Sequence, residues 1–116
     1  MAGRRCHVLL YRRITMVHVV ARMEIKKGQL EKMLGILTRL VPVVRAEAGC
    51  IRYEVCQDAN VGIGAPANPQ ALTIVEAWES PEHLAAHLAT AHMAAFRDEA
   101  GSLRESASVT VLKPKI

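Results

Sequence analysis

Glu76-Ala77-Trp78-Glu79-Ser80-Pro81-Glu82-His83-Leu84-Ala85-Ala86-His87, running on to Thr90-Ala91-His92 and Phe96, is the stretch on which the fold turns. It closes an apolar strand with the chain's only Trp and opens a helix directly behind it. From Ala71 to Glu79 the residues alternate, with Leu72, Ile74, Glu76 and Trp78 on one face and Ala71, Thr73, Val75 and Ala77 on the other. That period of two is a strand. Ser80 suits a helix N-cap, because its side-chain oxygen can accept a first-turn N–H. Pro81 fits the first helical position, and Glu82 follows. Thr90 caps a second, short helix through His92, Met93 and Phe96 to Gly101.

Working outward, Met16 to Ile25 alternate again, with Val17, Val19, Ala21, Met23 and Ile25 opposite His18, Val20, Arg22 and Glu24. Lys27-Gly28 ends that strand. Leu30, Met33, Leu34, Leu37, Val41, Val44 and Ala48 then recur at three- and four-residue spacing, an amphipathic helix of about five turns. Pro42 is expected to kink its last part, and Gly49 to follow its end. Cys50 to Gln57 form a second strand with Ile51, Tyr53 and Val55 on one face. Asp58 to Gln70, rich in Gly and Pro, reads as a mobile loop. A last strand, Ser108 to Leu112, precedes Lys113-Pro114-Lys115. The order β-α-β-β-α-β, with its second helix broken in two, predicts an α+β, ferredoxin-like antiparallel sheet with the helices on one face. Strands this apolar call for cover on the other face, and a second copy related by a two-fold axis is the expected cover.

Length and charge narrow the function. At 116 residues the chain suits one domain, residues 16–116, behind a basic extension, residues 1–15. Met16 opens a strand so directly that it reads as an original start. Although 51% of residues are hydrophobic, no apolar run approaches the roughly 20 residues of a bilayer span. Val8-Leu9-Leu10-Tyr11 is too short for a signal-peptide core. A soluble, cytoplasmic protein is expected. The net charge of +4 comes from Arg4, Arg5, Arg12 and Arg13. The 11 Lys and Arg that remain of 15 match the 11 Asp and Glu, so no basic groove for nucleic acid is expected. Of the three cysteines, Cys50 and Cys56 lie too far apart along one strand to pair, and Cys6 is in the extension.

Few residues carry chemistry. With about 100° per residue, Leu84, Leu88, Ala91 and Ala95 define the inner stripe of the broken helix. His87 borders that stripe and His83 leans toward water. His92 lies on the opposite border unless the break at Thr90 re-aims it. His83 and His87, four apart, lack a third ligand nearby in sequence, so no metal is expected. Gly62-Ile63-Gly64 fails as a phosphate loop because Pro66 and Pro69 follow it. No nucleophile elbow, Walker motif or dinucleotide fingerprint occurs. Glu76 shares a face with Trp78, and a carboxylate there needs a partner. Glu54 has Arg52 two residues away.

From Met16 onward the chain resembles the antibiotic biosynthesis monooxygenase family of small dimeric α/β-barrel proteins, which includes quinol monooxygenases. The resemblance rests on Val19-Val20-Ala21-Arg22, on Arg45-Ala46-Glu47-Ala48-Gly49-Cys50, on Ile51-Arg52-Tyr53-Glu54-Val55, and above all on Glu76-Ala77-Trp78-Glu79-Ser80, His87-Leu88, His92 and Phe96. It covers about 100 residues and implies a homodimer oxidising a quinol or polycyclic phenol with dioxygen, without metal, flavin or haem. The haem-degrading relatives of the fold are disfavoured, since Arg97 stands where their axial His would fall. The resemblance implies His87 as base, with Glu76 orienting a neighbour. Trp78 and Phe96 would be slot walls, and Tyr53, His92 or Arg22 hydrogen-bond donors to the developing anion. The competing readings are a non-catalytic dimer that binds a small aromatic metabolite, and an isomerase of the same fold.

Overall fold

β-branched residues alternating with polar ones make β1 (Val17–Ile25) a strand whose odd-numbered side chains face inward and whose His18, Val20, Arg22 and Glu24 face solvent. The computed structural model describes residues 15–116. Apart from Thr15, the N-terminal basic extension with Cys6 lies outside the described residues. After Gly28 the chain enters α1 (Leu30–Arg45), which buries Met33, Ile36, Leu37, Leu40 and Val44 at helical spacing. This helix ends three residues before the expected Ala48. The Ala46 and Glu47 N–H groups close on the carbonyls of Pro42 and Val44, tightening the chain into a turn. That turn reverses at Gly49, whose φ of +81° is open to glycine at little cost.

β2 (Cys50–Gln57) follows, then β3 (Ala71–Trp78), α2 (Pro81–Leu88), α3 (Ala91–Ala100), a 3-10 turn at Gly101–Leu103 and β4 (Arg104–Leu112). All strand pairs are antiparallel in the order β2-β3-β1-β4, the ferredoxin-like α+β arrangement that the element order predicts. β4 starts four residues earlier than expected. Lys26 N–H donates to the Leu103 carbonyl at 2.8 Å and Arg104 pairs with Ile25, so backbone pairing recruits a segment too polar to read as a strand. An irregularity in β2 between Cys50 and Arg52 leaves Ile51 at the surface while Tyr53 turns inward.

One hydrophobic core lies between the helices and the sheet face that carries Val17, Val19, Met23, Tyr53, Leu72 and Trp78. The opposite face is mixed rather than apolar, with His18, Arg22, Glu24, Arg52 and Glu54 exposed around Val20. The unmet apolar surface is at the edge. Val109 and Val111 pair with Ala21 and Val19, so they lie on the helix side of the sheet. They are nevertheless 67% and 52% exposed. The 58–70 loop is tied down at its base. Asp58 takes two hydrogen bonds from Arg22 and one from the Asn68 N–H, and Asn68 reaches Glu24. The Arg22 guanidinium and the Asn68 N–H hold the Asp58 carboxyl well below the usual carboxylate range. Among the described residues, no helix is long and apolar enough to cross a membrane.

Candidate active site

β3 brings Glu76 and Trp78 to the inner face, two residues apart on one strand, with Tyr53 of β2 directly opposite Glu76. Glu76 is a carboxylate at 5% exposure in an apolar setting. It is satisfied locally, since Trp78 Nε1–H donates to its Oε1 at 2.9 Å. Burial pushes the Glu76 carboxyl above its usual range, opposed by the Trp78 hydrogen bond and by nearby His87. Burial also raises the Tyr53 phenol, with Glu76 and Glu47 adding to the effect, so Tyr53 stays a neutral O–H group.

The strand-to-helix junction then aims the imidazoles. Ser80 caps α2 with its Oγ, accepting the His83 N–H at 3.2 Å, and the same oxygen bonds His83 Nδ1 at 2.7 Å. His83 is thereby held at the start of the helix, packed where a side chain on Gly49 would otherwise sit. One turn on, His87 points into the core and is 1% exposed. Here the apolar stripe predicted badly. Leu88 is 49% exposed, Ala91 and Ala95 are exposed as well, and an imidazole holds the inward position expected of a leucine. The reason is that α2 stops at Leu88, so the stripe does not continue into α3. Thr90 restarts the helix, accepting from Met93 N–H and donating to the His87 carbonyl at 2.8 Å. The restart re-aims His92 inward.

Both imidazoles meet on one atom. Glu47 Oε2 receives His87 Nδ1 at 2.8 Å and His92 Nε2 at 2.9 Å. Because an ionised carboxylate only accepts, each facing nitrogen donates an N–H to it, and in the neutral ring the lone pair falls on His87 Nε2 and His92 Nδ1. The Glu47 side chain is 12% exposed and that of His92 30%. Trp78 stacks on His87 with centroids 4.5 Å apart and planes at 32°, and Tyr53 meets the same ring edge-on at 5.8 Å. Four expected residues, Tyr53, Glu76, Trp78 and His87, thus form one packed group, with His92 joined to it through Glu47.

Three expectations change. The indole and imidazole do not line a hollow, because at van der Waals contact no substrate ring fits between them. Phe96 fronts a groove whose lining does not include Trp78. That groove, of about 150 Å³, lies between α1 and α3 and is also lined by Leu40, Val43, Ala95 and His92. Arg22 is not in the group at all, since it lies on the outer sheet face, paired with Asp58. Glu47 was missed by sequence reasoning. It lies 40 and 45 residues from the two histidines, and its only local signal was an acid just before the turn glycine. The histidines that share a third possible metal donor are His87 and His92, through Glu47, rather than the His83–His87 pair. Other openings flank the group. One of about 460 Å³ runs past Val17, Glu79, Ser80 and His83, and one of about 300 Å³ past Arg45, Cys50 and Tyr53.

A four-stranded ferredoxin-like sheet that seats a carboxylate-bridged pair of imidazoles beside a buried indole defines a small α+β protein with acid–base potential. Residues 16–99 match the family described as Antibiotic biosynthesis monooxygenase, and the chain belongs to that family. The probable quinol monooxygenase YgiN of Escherichia coli (strain K12) is 31% identical over 104 residues, spanning 87% of this chain and 100% of that protein. Among solved structures, a conserved protein from Methanosarcina mazei Go1 matches with a TM-score of 0.81 at 20% identity, over 91% of this chain and 99% of the other. Protein SO0527 from Shewanella oneidensis matches with a TM-score of 0.74 at 27% identity, over 84% and 89%.

Proposed function

We propose that the chain is a monooxygenase that oxidises a quinol or polycyclic phenol with dioxygen, using its own side chains for the proton chemistry and acting as a homodimer. The observation that carries this reading is the Glu47 oxygen shared by His87 and His92. A carboxylate that orients an imidazole also stabilises the imidazolium formed when the ring accepts a proton. With His87 sealed at 1% exposure, we assign the substrate-facing acceptor to His92, whose edge opens on the groove beside Phe96. His87, clamped by Trp78 and Tyr53, is then a positioning residue that shares the Glu47 charge, and Glu76 fixes the indole of that clamp.

The chemistry needs little else. The substrate hydroxyl gives its proton to His92, and the resulting phenolate passes an electron to dioxygen. The two radicals join in a new C–O bond on the ring, the peroxide takes back the proton held by His92, and the hydroperoxide so formed expels water with the hydrogen of the same ring carbon. One oxygen atom stays on the ring, giving a hydroxyquinone from a quinol or a quinone from a phenol, and the other leaves as water, with all four electrons supplied by the substrate. The similarity to the E. coli relative supports the substrate class. The homodimer rests on the family likeness and on the uncovered Val109 and Val111 of β4.

The test is oxygen uptake by chelator-treated protein offered a panel of quinols and naphthols. His92→Ala is expected to lower kcat by at least about a hundredfold, the usual contribution of a general base. Unchanged turnover in that variant removes the assignment. Saturable quenching of Trp78 fluorescence with no oxygen uptake by the unaltered chain selects the non-catalytic binding reading instead.

A further inference from the structure

We infer that Glu47 Oε2, His87 Nδ1 and His92 Nε2 form a binding site for a divalent first-row transition ion, Zn²⁺ foremost. The three donor atoms come from the α1–β2 turn, α2 and α3, and all lie within 4.8 Å of one another. Around a tetrahedral ion with bonds of about 2.0–2.1 Å, donor atoms stand about 3.3 Å apart. The two contacts at Glu47, 2.8 and 2.9 Å, need to open by about half an ångström, and the two nitrogens to close by no more than about 1.5 Å.

The donor set selects the ion. Two neutral imidazoles and one carboxylate suit Zn²⁺, Co²⁺ or Ni²⁺, whereas Mg²⁺ and Ca²⁺ take oxygen donors. Each ligand is also held from behind. His87 is clamped between Trp78 and Tyr53, and its carbonyl accepts from Thr90. The turn that carries Glu47 packs at Gly49 against the His83 ring. Such support lowers the ordering cost of binding. The partly exposed side of His92 gives the ion its approach and leaves water to complete the coordination shell.

One consequence is specific to this geometry. Without metal, His87 carries its proton on Nδ1, facing Glu47. A metal on Nδ1 requires that proton to sit on Nε2, so binding switches the tautomer of a buried histidine. The inference stands apart from the oxygenase reading, and a loaded site would also occupy the proton-accepting pair.

The experiment uses the untagged full chain freed of metal with a chelator. Co²⁺ titration is expected to give one equivalent of visible d–d absorption, displaced by Zn²⁺. Long-range ¹⁵N spectra are expected to move the His87 proton from Nδ1 to Nε2 on Zn²⁺ addition. His92→Ala and His92→Gln, both at a partly exposed position, are expected to weaken Zn²⁺ binding at least about a hundredfold, beyond the effect of losing an outer-sphere partner. His18→Ala, at an exposed position on β1, is expected to leave it unchanged. No stoichiometric uptake, equal affinity in the His92 variants, or an unmoved His87 tautomer would overturn the site. Oxygen uptake by the same metal-free protein is read separately, so either idea can fail without the other.

Discussion

Replacing Glu47 by Ala removes one side chain and strands two donors, and the structure says the two losses differ. A hydrogen bond to an ionised acceptor contributes about 1.5–3 kcal/mol, and a buried donor left unpaired costs about 1–3 kcal/mol. His92, with a side chain 30% exposed, can turn its Nε2–H to water and recover much of its loss. His87 is 1% exposed and pinned by two aromatic rings, so its Nδ1–H stays dry. The expected sum is about 2–4 kcal/mol, or a drop in Tm of roughly 8–16 °C at about 4 °C per kcal/mol for a domain near 100 residues. Urea unfolding followed by the fluorescence of Trp78, the only tryptophan, measures it directly, because that indole stacks on the affected ring. Metal-free protein at one fixed concentration keeps ligand and self-association effects constant. His92→Ala is expected to cost less than about 1 kcal/mol in the same assay. A Glu47→Ala loss below about 0.5 kcal/mol, or a His92→Ala loss of equal size, would refute the account of a buried, carboxylate-dependent His87.

Glu76→Gln keeps an oxygen for Trp78 Nε1–H while removing a buried charge. Because the folded carboxyl is raised above 4.5, its contribution to stability is present below that value and fades as pH rises through the folded pKa. The variant is therefore expected to melt higher than the parent at pH 7.5, with the gap closing toward pH 4, and a lower melting point at pH 7.5 contradicts this. Gly49→Ala meets both a positive φ of +81° and the His83 ring. It is expected to lose more than the roughly 1–2 kcal/mol of the backbone alone, and adding His83→Ala should return only the steric part in urea titrations. Val109→Asp with Val111→Asp is expected to convert a dimer to a monomer by size-exclusion chromatography with light scattering, and a parent chain that already runs as a monomer rules the interface out.

What the sequence made legible was whatever depends on neighbours along the chain. Alternation set the faces of β1 and β3, and Ser80-Pro81 and Thr90 marked both helix starts, since caps and pleats are local physics. Edges drifted where non-local pairing decided them, as when Arg104 joined a ladder already begun by Ile25. The site divides along the same line. Trp78 and Glu76 are two residues apart on one strand, so their hydrogen bond could be anticipated from the pleat. Alternation had likewise put Arg22 opposite Val19 and Met23, and only resemblance drew it toward the cleft. Glu47 had no such route. An acid in a four-residue turn looks solvated until folding brings α2 and α3 over it. An inward-facing histidine on α2 looks like a broken stripe until its carboxylate is found. These two errors have one cause. His87 could replace a core leucine because Glu47 satisfies it, and Glu47 could be drawn from solvent because two imidazoles receive it. Neither residue type makes sense in place without the other, which is why a reading taken one segment at a time passed over Glu47 and set His87 only at the border of the stripe.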